Sequence, residues 1–120
     1  MSDPLNVAPL LYLLLYVSIA ASSNQQHVPE MTALLGSSVV ISCHSSLAPT
    51  WQWSNSKNDA NRILALSGVD AHPTLDDPRF KFTRNGNVFS VSISDVRLAD
   101  AGTYSCLGDS FVSTVLNVLR

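Results

Sequence analysis

The stretch DAGTYSC, residues 100–106, ends on a cysteine with a single candidate partner, because the 120-residue chain holds two cysteines, Cys43 and Cys106. Their separation excludes a CxxC redox or zinc motif and leaves either one disulfide or two unrelated thiols. Compartment decides between the two, since an oxidising environment favours the bond and the cytosol opposes it.

The N-terminus speaks to compartment. Residues 8–21, APLLYLLLYVSIAA, form an apolar run of the length of a signal-peptide core. The run is shorter than the roughly 20 residues a spanning helix needs. It also lacks the polar face at helical spacing that a helix buried against a domain would show. Small residues for a peptidase follow at Ser18, Ala20, Ala21, Ser22 and Ser23. One feature departs from the pattern: MSDPLNV, before the core, has no lysine or arginine and carries Asp3. The expected division is a signal peptide over 1–22, a short linker over 23–27 and one domain over 28–119. That makes the product secreted and extracellular, with no membrane insertion once the signal is removed.

About one hundred residues then remain, the size of one small domain whose margin of stability a cross-link would raise. Seven basic and nine acidic residues give a formal charge of −2, with no basic block. A nucleic acid or an anionic membrane surface is therefore not an expected partner.

Upstream and downstream of DAGTYSC the pattern is β-type. SSVVISC, residues 37–43, sets Val39, Ile41 and Cys43 on one face by period-two alternation. HVPEMTALL before it contains Pro29, which suits an edge strand. In PTWQWSN, Trp51 and Trp53 share a face and Gln52 opposes them. RILALSG, residues 62–68, is a further strand, followed by the polar loop VDAHPTLDDP. Asn85-Gly86 in RNGNV predicts a hairpin with a type I′ turn, both residues tolerating positive φ, between RFKFT and VFSVSIS. GTYSCLG and FVSTVLNVL, joined through Gly108, Asp109 and Ser110, complete about eight strands. Their spacing suits an all-β sandwich of two antiparallel sheets.

Cys43, a tryptophan ten residues on at Trp53, and SVSISDVRLADAGTYSC together resemble the immunoglobulin superfamily, in its single V- or I-type domain form. The resemblance covers residues 28–119. It implies an immunoglobulin-like β-sandwich with one inter-sheet disulfide, Cys43 to Cys106, and Trp53 packed against it. Val91, Ile93 and Val96 would feed the core from one sheet, Leu116 and Val118 from the last strand. By the same resemblance Tyr104 is the tyrosine-corner residue, whose hydroxyl bonds backbone a few residues upstream. Asp100 should pair with Arg79, and Gly102 should permit the tight entry into the strand. The missing FGxGT motif, with FVSTVLNVL directly after GDS, argues against an antibody or antigen-receptor chain. ILALSG, DPRF and D-x-G-x-Y-x-C are similar to first domains of adhesion proteins of the lachesin and IgLON kind.

Catalytic chemistry finds no foothold. His27, His44 and His72 are scattered, Asp76 and Asp77 are too few oxygen ligands for calcium, and no GxSxG or phosphate loop occurs. No enzyme, metal or cofactor is expected. Binding by a sheet face is the alternative, and it is the face of the strands lettered C, C′, F and G in the family, those holding Trp53, Leu64, Tyr104 and Leu116. Alternation turns Leu107 outward and sets Val115 beside it, with Gln52 on the same face. Leu64 and Leu66 join them in one register of their strand, Ile63 and Ala65 in the other. The candidate contact face is thus Gln52, Leu64, Leu66, Leu107 and Val115, and the expected partner is another extracellular protein, an immunoglobulin-like domain of the same or a different chain. The alternatives are a structural or spacer unit of a longer receptor, and a soluble antagonist of one. No N-x-S/T acceptor shields either face.

Overall fold

In the computed structural model, residues 28–57 and 60–120 are described. The expected signal and linker regions, 1–22 and 23–27, lie outside them. Nine strands run in order: β1 Glu30–Leu34, β2 Val39–His44, β3 Thr50–Asn55, β4 Ala60–Leu66, β5 Asp70–Ala71, β6 Phe80–Asn85, β7 Val88–Ile93, β8 Gly102–Leu107 and β9 Phe111–Leu119. They form a six-stranded sheet, β1-β9-β8-β3-β4-β5, and a three-stranded sheet, β2-β7-β6. All neighbours are antiparallel except β1, which joins β9 in parallel at the sheet edge, directly after Pro29.

Period-two alternation builds the core. Phe89, Val91 and Ile93 of β7 point inward, as do Ile41 and Cys43 of β2, and all are buried. Against them the larger sheet turns Trp51, Tyr104, Cys106 and Leu116, with Val96 closing the core and Val118 packed at its margin. The Cys43–Cys106 disulfide ties the two sheets across 63 residues of sequence. On the chain-entropy account, closing such a loop contributes about 4 kcal/mol. The fold is an immunoglobulin-type sandwich.

Four local expectations are corrected. Trp53 is expected against the bridge, but the β3–β8 register pairs Trp51 with Cys106 and Trp53 with Tyr104. Trp51 is therefore the indole beside the disulfide. Trp53 is buried one step along, with the Arg62 guanidinium 5.0 Å above its ring. Both tryptophans have the same parity on one strand, so alternation alone cannot choose between them.

The hairpin loop is Gly86-Asn87, since Asn85 pairs with Val88. Gly86 has φ 64° and Asn87 is not in the positive-φ region, the pattern of a type II′ turn with glycine at its first central position. Within the polar loop, Asp70–Ala71 form a two-residue strand that alternation cannot reveal, pairing with Ala65 and Leu66. In β4 neither expected register holds. A bulge opposite Trp51 and Gln52 lets Ala65 pair with Trp51 and Ile63 with Gln52, leaving Leu64 unopposed. Leu64 and Ala65 both turn inward as a result.

Gly68, just past β4, shows why glycine is needed there. Its φ is +75°, and a Cβ would stand 2.5 Å from the Phe89 ring and 2.9 Å from Pro49.

Candidate interaction surface

Inward side chains of β3, β8 and β9 are fixed by the core, so their neighbours must face away from it. Register then arranges the outer face in rows. One row runs Leu66, Thr50, Leu107, Phe111: Thr50 pairs with Leu107, Leu107 with Phe111, and Leu66 lies one step beyond the Trp51–Ala65 pair. A second runs Ile63, Gln52, Ser105, Ser113, and a third Asn61, Ser54, Thr103, Val115, Glu30.

This layout brings together some of the expected face and separates the rest. Gln52 faces outward and is half-buried. Leu66 and Ile63 are exposed, whereas Leu64 is 0% exposed and belongs to the core, because the β4 bulge rotates it inward. Leu107 is outward and half-buried, but its neighbour on β9 is Phe111 rather than Val115. Val115 lies opposite Thr103, four residues from Leu107 along β8. Phe111, 66% exposed, is the large apolar side chain absent from the expected face. The parity that sets Val115 outward also sets Ser113 and Phe111 outward, so the signal is present in FVSTVLNVL. What hides it is the turn, which decides how β9 slides against β8.

That turn is held firmly. Asp109 accepts hydrogen bonds from the Ser45 hydroxyl at 2.6 Å, the Ser46 amide at 3.0 Å and the Ser46 hydroxyl, so the β2–β3 loop and the β8–β9 turn are clamped to each other. These donors, led by the Ser45 hydroxyl, hold the exposed Asp109 carboxyl well below the usual carboxylate range. Gly108 completes the clamp, because a Cβ there would overlap the Ser45 side chain. Ser45 itself is buried, and its amide donates to Asn87 O at 2.9 Å, joining the β6–β7 turn to the same end. The loop also displays Leu47, 61% exposed, whose carbonyl neighbours Gly108. The apolar row therefore ends on a stiff platform, and Asp109, the carboxylate of that turn, has both oxygens engaged.

The remaining residues of DAGTYSC and their partners form a separate cluster behind the sheet. Arg79 donates to Asp100 through both terminal nitrogens, at 2.7 and 3.0 Å, and to Asp77 at 2.8 Å. Hydrogen bonds to Asp100 and then Asp77 push the guanidinium pKa up, and the Arg79 bond lowers that of Asp77. The Tyr104 hydroxyl donates to Asp100 O at 2.6 Å, and burial, then the Asp100 charge, raises its pKa. Asp77 is thus spent on Arg79 rather than available to a metal. His44 is exposed on the outer face of β2, His72 Nδ1 bonds Thr74 at 2.8 Å, and His27 lies outside the described residues. Among the described residues, no helix is long and apolar enough to cross a membrane.

Comparison with known proteins agrees with this architecture. The immunoglobulin V-set domain matches residues 26–117. The chain is 38% identical over 82 residues to protein sidekick-2 of Mus musculus and 37% identical over 82 residues to that of Gallus gallus. Each match takes in 65% of this chain and 3% of the relative, so the chain spans a small fraction of those proteins' length. It is also 30% identical over 87 residues to the Ig kappa chain V region K-25 of Oryctolagus cuniculus, covering 71% of this chain and 81% of the relative. With the sandwich, the inter-sheet disulfide and a match over most of its length, the chain belongs to the immunoglobulin V-set family.

Proposed function

We propose that this V-set domain is a secreted or cell-surface recognition module that binds another extracellular protein, an immunoglobulin-like domain, through the outer face of β4, β3, β8 and β9. The observation that carries the reading is the row Leu66, Thr50, Leu107, Phe111, which crosses β4, β3, β8 and β9 without a charged side chain and meets one, Asp70, at the β5 edge. An apolar strip rimmed by hydroxyl and amide groups has the anatomy of a contact surface, and an aromatic residue at its end is a common anchor. Nothing at this surface supplies a nucleophile or an acid–base pair, so binding is the chemistry it supports.

The test is association of the oxidised domain, with itself by sedimentation and with extracellular immunoglobulin-like domains by surface binding. Phe111→Asp and Leu107→Asp should each abolish the interaction while leaving the thermal midpoint near that of the wild type. Unchanged binding in both variants would remove this face from consideration.

A second reading is a structural or spacer unit of a longer extracellular chain. It is favoured by Leu34 and Leu119, which pair across β1 and β9 and are exposed, with Leu35 beside them, at the end where β9 finishes. Burial of these leucines in a longer form of the protein would support it. A soluble antagonist of a related receptor would use the same face as the first reading.

A further inference from the structure

The outer face also carries a cleft at the end away from the apolar row. About 190 Å³ in volume, it is lined by Ser54, Ser56, Lys57, Thr103, Val115 and Asn117 among others. Its walls are ordered by their own hydrogen bonds. The Asn55 side chain donates to Ala101 O at 3.3 Å and accepts from the Lys57 amide at 2.9 Å, fixing the turn after β3 against the entry to β8. Gly102, in the opposite wall, leaves no room for a side chain, since a Cβ would stand 2.6 Å from both Ser54 O and Trp53 Nε1. The cleft therefore exists before any partner arrives.

Its chemistry is uneven. Lys57 is exposed at one rim, and none of the salt bridges among the described residues takes up its ammonium group. Ser54, Ser56 and Thr103, which carry hydroxyl groups, and the apolar Val115 line the walls. At the far rim Glu30 pairs with Val115 in register and accepts from Asn117 Nδ2 at 3.0 Å. A negative group is thus welcome on the Lys57 side and repelled at the Glu30 side, which orients whatever enters.

We propose that this cleft is a subsite for a carboxylate side chain, an aspartate or glutamate of the protein partner, seated on Lys57 and the hydroxyls of Ser54, Ser56 and Thr103. The inference rests on the reading of this face as a contact surface and adds the chemistry of the partner. Leu107 and Thr103 are four residues apart on β8, roughly 13 Å at strand rise. A partner segment that places an apolar residue on Leu107 and Phe111 would therefore carry its acid about four extended residues away. The apolar row supplies most of the contact, and the cleft supplies register and orientation.

A small probe tests the subsite without the protein partner. Amide chemical shifts of the domain are followed by NMR during titration with N-acetylglutamate N-methylamide at low ionic strength, with N-acetylglutamine N-methylamide as the neutral isostere. The expected result is saturable shifts confined to Ser54, Ser56, Lys57, Gly102 and Thr103 for the acid alone. Lys57→Gln, folded by near-ultraviolet circular dichroism, should weaken them about fivefold. Equal shifts with the neutral probe, unchanged affinity in Lys57→Gln, or no saturable shift at all would overturn the proposal. These outcomes are separate from those of Phe111→Asp and Leu107→Asp, which do not touch the cleft.

Discussion

Arg79 and Asp100 meet in a two-pronged ion pair, at 2.7 and 3.0 Å, with the carboxylate side chain 4% exposed and the arginine 11%. Asp100 Oδ2 also accepts the Arg97 amide at 2.7 Å, and Asp100 O receives the Tyr104 hydroxyl. One acidic residue thus fastens the short turn Leu98–Asp100 to the start of β6 and to the middle of β8.

Removing Arg79 strands Asp100 in a site largely closed to water, and removing Asp100 leaves the largely buried Arg79 with Asp77 alone and the Arg97 amide without its acceptor. Asp100→Ala should destabilise the domain by about 3 kcal/mol, in the range for breaking a buried ion pair from one side. Arg79→Leu with Asp100→Leu should cost less than Asp100→Ala alone, because the charge then left without its partner is Asp77, which is the more exposed of the two carboxylates and can be hydrated. Urea unfolding of the wild type and the two variants checks this, and a double variant less stable than the single one would refute it.

Acid should unfold the domain partly through Asp109 and Asp77, whose carboxyls have lowered pKa values in the fold. The unfolded chain binds their protons first, near pH 4, so their stabilisation is complete at neutral pH and fades as the pH falls below about 4. Asp109→Asn should flatten the fall of the thermal midpoint between about pH 4 and pH 2 relative to the wild type. A wild-type slope in that variant would mean that the Ser45 and Ser46 bonds carry no stability.

The glycines separate backbone strain from lack of room. Gly86 has φ 64° and open space within 4 Å of where a Cβ would stand, whereas at Gly68, φ 75°, a Cβ would meet the Phe89 ring at 2.5 Å. Gly86→Ala should cost about 2 kcal/mol, the backbone strain of an L-residue at the first central position of a type II′ turn alone. Gly68→Ala adds a clash with a core aromatic and should cost about 2 kcal/mol more. Equal midpoints for the two in thermal unfolding would deny the clash.

Association through the apolar row should respond weakly to salt. Leu66, Thr50, Leu107 and Phe111 are uncharged and Asp70 flanks them only at the β5 edge, so screening has little to act on there, and in the Lys57→Gln variant raising the salt from about 0.05 to about 0.5 M should change affinity by less than about threefold. A steep loss would place the main contact on charged residues elsewhere.

Much of this domain was legible from one chain. Alternation, Pro29 and the Asn-Gly turn signal located β1 to β4 and β6 to β9, and the resemblance to the immunoglobulin superfamily implied that Cys43 and Cys106 bridge two sheets, as they do. Less legible was everything that depends on how one strand slides against another. Trp51 and Trp53 share a parity, and only pairing with β8 tells which one meets Cys106. Leu64 and Leu66 share a parity too, yet the bulge in β4 buries the first and exposes the second.

Side-chain direction along a strand is a local property of extended backbone, which is why VVISC and VFSVSI declared their inner and outer faces without any partner in view. Which outward residues become neighbours is set by interstrand hydrogen bonding and by the turns that join the strands. The clamp of Asp109 on Ser45 and Ser46 spans more than sixty residues of chain, and it fixes Phe111 beside Leu107. Such a contact has no trace in local patterning, because the residues that make it are brought together by the packing of the two sheets.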